Sequence, residues 1–468
     1  MNFSPSTASS PSLSGNAKAC YNFPMNILVL NASPKGNSSI TLQTSLYLEK
    51  RFPTCTFTYQ FIGCSKKANE AKLASTLELI SKTDIIIFSF PVYTFACPSQ
   101  LHYFIRLLKE KGLTFNGKVA TAITTSKHFY DITAHNYLEE NLLDLGFNYL
   151  EGLSLDMEDL LNQEGQTSTL SWFKHSLWAY ENKVYKTPSG PKPQVQLPAI
   201  QEVTTEVEHK DNFTVSLVVD YSQDKKRLEV LVNNFVKQFP YKVNVVDLSA
   251  FTFKGGCLGC LKCALDGKCV YTDGFNNFYK KQVLTGDAIV YAFTIVDHSM
   301  GPLFKNFDDR CFYNGHRTVS QYKPTAFLVN GNLEVEDNLK IQLTARADVG
   351  RNYLSGIASN EVEITNTAKN LAYALENKYV KPRTFYGVGG MKIFRDLIWI
   401  MRGIMRDDHK FYKENGFYDF PQKQRGKMLA MKLVGSLMRN KKLMEKNKNM
   451  MEQGMLGPYK KVIEKVKE

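Results

Sequence analysis

Short, wholly apolar runs separated by polar loops recur along this chain at the spacing of alternating strands and helices. Asn26-Ile-Leu-Val-Leu-Asn31 and Asp84-Ile-Ile-Ile-Phe-Ser-Phe90 have the continuous hydrophobicity of strands buried on both faces of a parallel sheet. Thr56 to Phe61, Lys118 to Thr124 and Tyr149 to Leu155 complete a set of five. Helical periodicity begins near Ile40 and returns from Leu73 to Lys82, Gln100 to Lys111 and Ser168 to Asn182. A polar stretch at 187–212 holding Pro188, Pro191, Pro193 and Pro198 reads as a semi-rigid linker.

Beyond that linker the pattern repeats. Val218 matches Val29, Asp287 matches Asp84, and Asn352-Tyr-Leu-Ser-Gly356 matches Asn148-Tyr-Leu-Glu-Gly152. Both copies close on Glu-Asn-Lys, at Glu181 and Glu376, so the chain reads as a tandem duplication. The expected fold class is therefore α/β, with two doubly wound parallel-sheet domains at 25–186 and 213–381 and a basic, Met-rich helical tail at 382–468.

Residues 1–24 are rich in Ser, Pro and Asn and lack the basic-then-apolar order of a secretory signal, so a disordered leader is expected there. No apolar run nears about 18 residues, which predicts no membrane-spanning helix. The nine cysteines are odd in number and four of them are crowded together, a usage that reads as reduced thiols in a cytoplasmic protein. Most of the net charge of +13 lies in the tail, where 21 Lys plus Arg stand against 9 Asp plus Glu from Lys381 onward.

Cys257, Cys260, Cys263 and Cys269 form a C-x2-C-x2-C-x5-C run. Three thiols recurring every third residue, with a fourth after a Gly-containing turn, suit a compact iron–sulfur centre such as a [4Fe-4S] cluster. A zinc site is the competing reading, although zinc ligands usually fall into two separated pairs.

The first strand leads into Ala32-Ser-Pro-Lys-Gly-Asn-Ser-Ser39 and then a helix start, an arrangement that receives phosphate on free N–H groups. Ser33, Lys35, Asn37, Ser38, Ser39 and Thr41 are its candidate donors; an ordinary capped turn would read the same way. Pro91, Val92 and Tyr93 leave the third strand where a flat ring would meet that phosphate. Thr125, Ser126 and His128 leave the fourth strand beside it, and His128 is the candidate proton donor. A metal at His128, Asp131 and His135 is disfavoured for want of a compact fourth ligand. The second copy has Asp220 and Asp224 where a phosphate would sit, while the first keeps only Gly63-Cys64 where the second has its cysteine run.

The Ser-Pro-Lys loop, Pro91-Val-Tyr93 and the five-unit order resemble the flavodoxin-like NAD(P)H-dependent FMN reductases. The second copy, with its four cysteines and Phe304-Lys-Asn-Phe-Asp-Asp-Arg310, is similar to the iron–sulfur flavoproteins of that superfamily. The resemblance covers residues 25 to about 380 and implies two flavodoxin-like domains, FMN in the first, a [4Fe-4S] cluster in the second and NAD(P)H as electron donor. No dinucleotide fingerprint is legible. The implied function is an oxidoreductase passing electrons between flavin and cluster. Its alternatives are an FMN or quinone reductase whose cysteines bind zinc or nothing, and a non-catalytic redox sensor or scaffold.

Ten of the fourteen methionines lie between Met391 and Met455. The basic, apolar tail is read as a helical extension packing on the domains, a docking surface for an acidic electron carrier such as a ferredoxin, or a membrane-surface helix. No nucleic-acid recognition module is legible. Small-molecule quinone or flavin acceptors are the expected substrates.

Overall fold

The computed structural model describes residues 24–190, 197, 199–204, 206–437 and 448–466. The leader at 1–24 lies outside the described residues save for Pro24, as do Pro191, Pro193 and Pro198 of the linker and residues 438–447 of the tail. Strands β1 (Asn26–Asn31), β2 (Thr56–Phe61), β3 (Ile85–Pro91), β4 (Val119–Ser126), β5 (Asn148–Tyr149) and β6 (Leu153–Asp156) form one parallel sheet. They alternate with α1 (Ile40–Arg51), α2 (Lys66–Ser81), α3 (Ser99–Glu110) and α4 (Ile132–Asp144), and α5 (Gln163–Glu181) follows. The order β2-β1-β3-β4-β5 is that of the flavodoxin-like fold.

Two boundaries differ from the sequence reading for local reasons. The fifth strand is broken in two, and β6 pairs with β4 beyond the break. Gly152 lies in the gap because any side chain there would collide with His135 and Ala122. α2 starts seven residues before Leu73: Ser65 caps it by accepting from the Ala68 N–H at 3.3 Å, although its first turn is too polar to show apolar periodicity.

The second sheet holds β7 (Lys210–Val219), β8 (Tyr241–Asp247), β9 (Ala288–Thr294), β10 (Thr325–Asn330) and β11 (Leu354–Ala358). Its order, β8-β7-β9-β10-β11, repeats the first. α6 (Lys225–Gln238), the short α7 (Lys262–Asp266) and α8 (Phe275–Phe278), α9 (Pro302–Arg310), α10 (Asp337–Val349) and α11 (Glu361–Glu376) surround it. Linker residues run along this domain, Gln201 donating to Glu361 and Val203 to Asn234.

The two sheets share a clasp. The Asp84 carboxylate accepts the Asn26 N–H at 2.8 Å, and the Asp287 carboxylate accepts the Thr214 N–H at the same distance. Because Ile27 then faces Ile85 while Val215 faces Ala288, the counterpart of Val218 is Leu30 and not Val29. An apolar run has no internal landmark, so a match by sequence alone slips by one position.

Within the unit that runs to His409, the domains meet through equivalent helices: α3 packs on α9, and α4 on α10. Each element facing its own counterpart is the signature of an isologous interface, here within one chain. The third-strand exits also match in backbone. Thr94 and Phe95 are left-handed, as are Asp297 and His298, and the bridges Tyr93–Ala96 and Val296–Ser299 close equivalent turns. Their contents differ: Phe95 packs with Ala345 and Val349, whereas the His298 imidazole lies 2.8 Å from Asp144 and 3.0 Å from Glu336.

Helix α12 (Phe385–Ile400) lies on α10, where Gly387 donates to the Asp348 carboxylate at 2.6 Å. Gly390 is essential to that approach, since a side chain there would overlap Phe129 and Val349. α13 (Arg406–Glu414) follows. Residues 410–468 form a separate compact unit containing α14 (Arg425–Leu437) and a last helix, Lys448–Ile463. Among the described residues no helix is long and apolar enough to cross a membrane.

Candidate active site

At the carboxyl end of the first sheet, residues 32–39 connect β1 to α1. Asn31, which the sequence reading passed over, organises this loop: its side chain accepts from the Ser33 N–H at 3.1 Å and donates to the Gly36 carbonyl at 3.0 Å. Ser39 caps α1 by accepting from Leu42, and the N–H groups of Ile40 and Thr41 are what the helix end offers an anion. Ser33 and Ser39 are buried, while Lys35, Asn37 and Ser38 are exposed. Thr41 is also buried, with its hydroxyl 2.6 Å from that of Thr125. That contact ties the phosphate-type loop to the end of β4.

Beyond Thr125, the Ser126 hydroxyl accepts the His128 N–H at 2.8 Å and donates to Asp131 at 2.9 Å. The His128 imidazole is exposed, lies 3.2 Å from the Ser154 hydroxyl and stands on a left-handed backbone. Burial raises the proton affinity of the Asp131 carboxyl, but the Ser154 and Ser126 hydroxyls outweigh it and hold the group below its ordinary range. His135 points elsewhere and meets Thr124 at 2.8 Å, so His128, Asp131 and His135 do not converge as a metal site. Phe129 and Tyr130 pack against Phe394 and Tyr386 of α12, so the C-terminal extension supports the loop that carries His128.

Pro91, Val92 and Tyr93 occupy the expected strand exit, yet Tyr93 reaches farther than a ring-stacking role requires. Its ring meets Phe312 of the second domain edge-on, with centroids 5.7 Å apart. Its hydroxyl is buried and has no hydrogen-bond partner among the described residues. Gly259, in the middle of the cysteine run, is left-handed; a Cβ there would lie 2.6 Å from the Tyr93 hydroxyl and 3.2 Å from the Lys35 side chain. The segment carrying the cysteines thus lies against both the phosphate-type loop and the ring-bordering loop of the other domain.

Helix α9 makes that contact possible. Asp309 accepts the Ser99 N–H at 2.7 Å, capping the start of α3 from the opposite domain, and Asn306 accepts from the Ser99 hydroxyl at 3.2 Å. Lys305, fully buried, pairs with Asp309. Arg310 holds Asp273 through two contacts of 2.7 and 2.8 Å and donates to the Gly255 carbonyl at 3.0 Å, which fixes the entrance to the cysteine run. Gly256 fits between Ser99, Gln100 and Asn306 with no room for a side chain. On the far side, buried Asp408 accepts from His316, and Asp407 pairs with Arg317 beside Gly267.

Burial, reinforced by neighbouring acidic groups and thiols, pushes the Cys257 thiol up to about 12 and Cys263 to about 11. Crowded, buried thiols of this kind ionise when a metal replaces their protons. No three of the four sulfurs lie within 4.8 Å of one another; among the described residues only Glu140, His298 and Glu336 form so tight a group. A tetrahedral zinc, with Zn–S near 2.3 Å, would draw its thiolates to roughly 3.8 Å separations. Thiolates bound to different irons of a cubane need a wider cage.

In the second domain the place equivalent to the phosphate-type loop is shorter and acidic. Residues 220–224 replace the longer 32–39; the Asp220 carboxylate accepts the Phe304 N–H at 3.1 Å and Asp224 accepts from Asn330 at 3.0 Å. Two carboxylates thus stand in the connection between β7 and α6, where an anion would be disfavoured. The pairing of Ser99 with Asp309 had only an indirect sequence signal, the charged run Lys305 to Arg310 within an otherwise apolar helix.

A family model described as flavodoxin-like fold matches residues 25–154. No curated protein matches the chain. Among solved structures, an NADH:FMN oxidoreductase aligns at 17% identity over 36% of this chain and 97% of its own, with a TM-score of 0.31. General stress protein 14 of Treponema denticola, in complex with FMN, aligns at 15% identity over 34% and 99%, with a TM-score of 0.25. An NAD(P)H:quinone oxidoreductase of Methanothermobacter marburgensis aligns at 13% identity over 34% and 96%, with a TM-score of 0.26. These are similarities of fold.

Proposed function

We propose that this chain is a flavin-dependent oxidoreductase in which FMN held by the first domain exchanges electrons with a [4Fe-4S] cluster held by the second. The observation that carries this reading is the contact of Gly259 with Tyr93 and Lys35, because it brings the thiols beside the loops suited to a phosphate and a ring. The repeated strand order, the shared Asp84 and Asp287 clasp and the isologous helix contacts support descent from a duplicated, dimer-forming flavodoxin-like domain. On this reading the first half kept the flavin site and the second kept the cluster. Asp220 and Asp224 account for a single flavin per chain.

The residues present suit both groups. Ser33, Lys35, Asn37, Ser38, Ser39 and Thr41, with the first-turn N–H groups of α1, would hold the FMN phosphate; Pro91, Val92, Tyr93, Thr125 and Ser126 would border its ring. Cys257, Cys260, Cys263 and Cys269 would ligate the cluster, their C-x2-C-x2-C-x5-C spacing favouring a cluster over the two separated pairs usual for zinc. Bound FMN and cluster would supply hydride and one-electron chemistry. The chain's own part is positional: Asn31 and Thr41 fix the phosphate-type loop, α9 docks the cysteine run, and Tyr93 meets Phe312 of the other domain. His128 is exposed and oriented by Ser126 and Ser154, so it is the group able to deliver a proton to a reduced quinone or flavin acceptor, with NAD(P)H the proposed donor of electrons.

The test is anaerobic purification with iron, acid-labile sulfide, zinc and FMN quantified per chain. About four irons, four sulfides and one FMN are expected. Two FMN per chain, or a cluster without flavin, would overturn the divided arrangement. Zinc or no metal with one FMN would leave a simpler FMN or quinone reductase.

A further inference from the structure

From Pro421 to Met444 the chain has seven Lys or Arg and no Asp or Glu. Helix α14 lies in this stretch and exposes its apolar side chains: Met428, Leu429, Met431 and Leu433 are each 56–60% exposed, and Val434 is exposed as well. At 3.6 residues per turn, Arg425, Lys432 and Ser436 share one narrow strip. Met428, Met431 and Val434 lie to one side of it, and Leu429 and Leu433 to the other. Lys427 alone interrupts the apolar arc, between Val434 and Met431. The last helix repeats the theme, with Tyr459, Val462 and Ile463 exposed beside Lys460 and Lys461.

A helix that fills a protein groove presents one stripe at i, i+3, i+4 and i+7. α14 instead exposes an apolar arc much wider than a stripe, flanking a basic strip. That pattern fits a surface that is apolar below and anionic above, since basic side chains on such a helix attract acidic headgroups while the apolar arc enters the acyl boundary. We infer that α14 docks the protein on an anionic phospholipid surface. The helix lies in the plane of that surface and does not cross it. The charge needed for this is concentrated in the tail, the preceding 380 residues being nearly neutral.

The full-length protein tests this by co-sedimentation with vesicles of phosphatidylcholine alone and with phosphatidylglycerol mixed in. Pelleting with the anionic vesicles at low salt, reversed by high salt, is expected. Arg425→Gln, Lys427→Gln and Lys432→Gln together should weaken it on the order of a hundredfold, at roughly tenfold or less per basic residue. Leu429→Glu with Leu433→Glu should abolish it, while an unchanged near-ultraviolet dichroism spectrum reports that the domains remain folded. Absence of pelleting, equal pelleting with neutral vesicles, a triple variant that binds like the parent, or capture of an acidic ferredoxin in place of the vesicles would each overturn the inference.

Discussion

The Tyr93 hydroxyl lies 2.6 Å from the point at which a side chain on Gly259 would begin, although the two residues belong to different domains. This approach requires glycine twice over, for the left-handed backbone and for the space. Gly259→Val should therefore push the cysteine run off Tyr93 and Lys35. The expected result is loss of most of the iron per chain with FMN content retained, read by metal and flavin analysis of the same sample.

The Tyr93 hydroxyl also bears on the chemistry. Burial, and then the nearby Cys257, raise its pKa well above the ordinary value, so it stays protonated beside the cysteine run. Tyr93→Phe should remove a buried hydroxyl dipole beside the cysteine run and shift the reduction potential of the cysteine centre downward. Potentiometric titration followed by electron paramagnetic resonance measures this without relying on turnover.

Asp309 has three tasks: it pairs with buried Lys305, caps α3, and thereby joins the domains. Asp309→Ala leaves the buried lysine with only the more distant Asp308 carboxylate at 3.4 Å, a loss of up to about 3–5 kcal/mol. Adding Lys305→Met should recover the larger part of it. Urea denaturation of the single and double variants distinguishes the charge effect from the lost cap.

His298 gives the interface a pH dependence. Burial lowers its proton affinity, but Asp144 and Glu336 outweigh that and raise its pKa to about 9, above the unfolded value of about 6.5. The associated stability is fully present below about pH 6.5 and is lost as the pH rises through about 9, a change on the order of 3 kcal/mol. His298→Gln should flatten the melting temperature over that window; an unchanged profile would place the dependence elsewhere.

His128→Ala should lower turnover with a quinone acceptor while leaving FMN and iron contents unchanged. Ser154→Ala, which removes one contact of the imidazole and one donor to Asp131, should have a smaller effect of the same kind. Steady-state rates on cofactor-matched samples are the measurement, and unchanged turnover would remove His128 from proton delivery.

The parallel sheets were legible because runs such as Ile85 to Phe88 are apolar without interruption, which polar–apolar alternation or helical periodicity would not produce. The phosphate-type loop was legible from Ser33, Lys35 and Ser39 between a strand and a helix. What the sequence did not disclose is mostly long-range. Nothing local marks Ser99 as the partner of Asp309, 210 positions away. The left-handed turns at Thr94-Phe95 and Asp297-His298 contain no glycine to announce them, so equivalent backbones were hidden beneath unlike sequences. Asn31 was passed over for a related reason: it ends an apolar strand, and its role emerges only once the loop folds back over its amide.

Phe95 and His298 occupy matching positions but have opposite characters, one in a dry pocket and the other among carboxylates. In an assembly of two identical chains any substitution appears on both sides of the axis, so neither side can change alone. A single chain removes that constraint and lets each half of the interface be adjusted separately. It also makes the pairing intramolecular, so that dilution capable of parting two separate subunits leaves these domains facing each other.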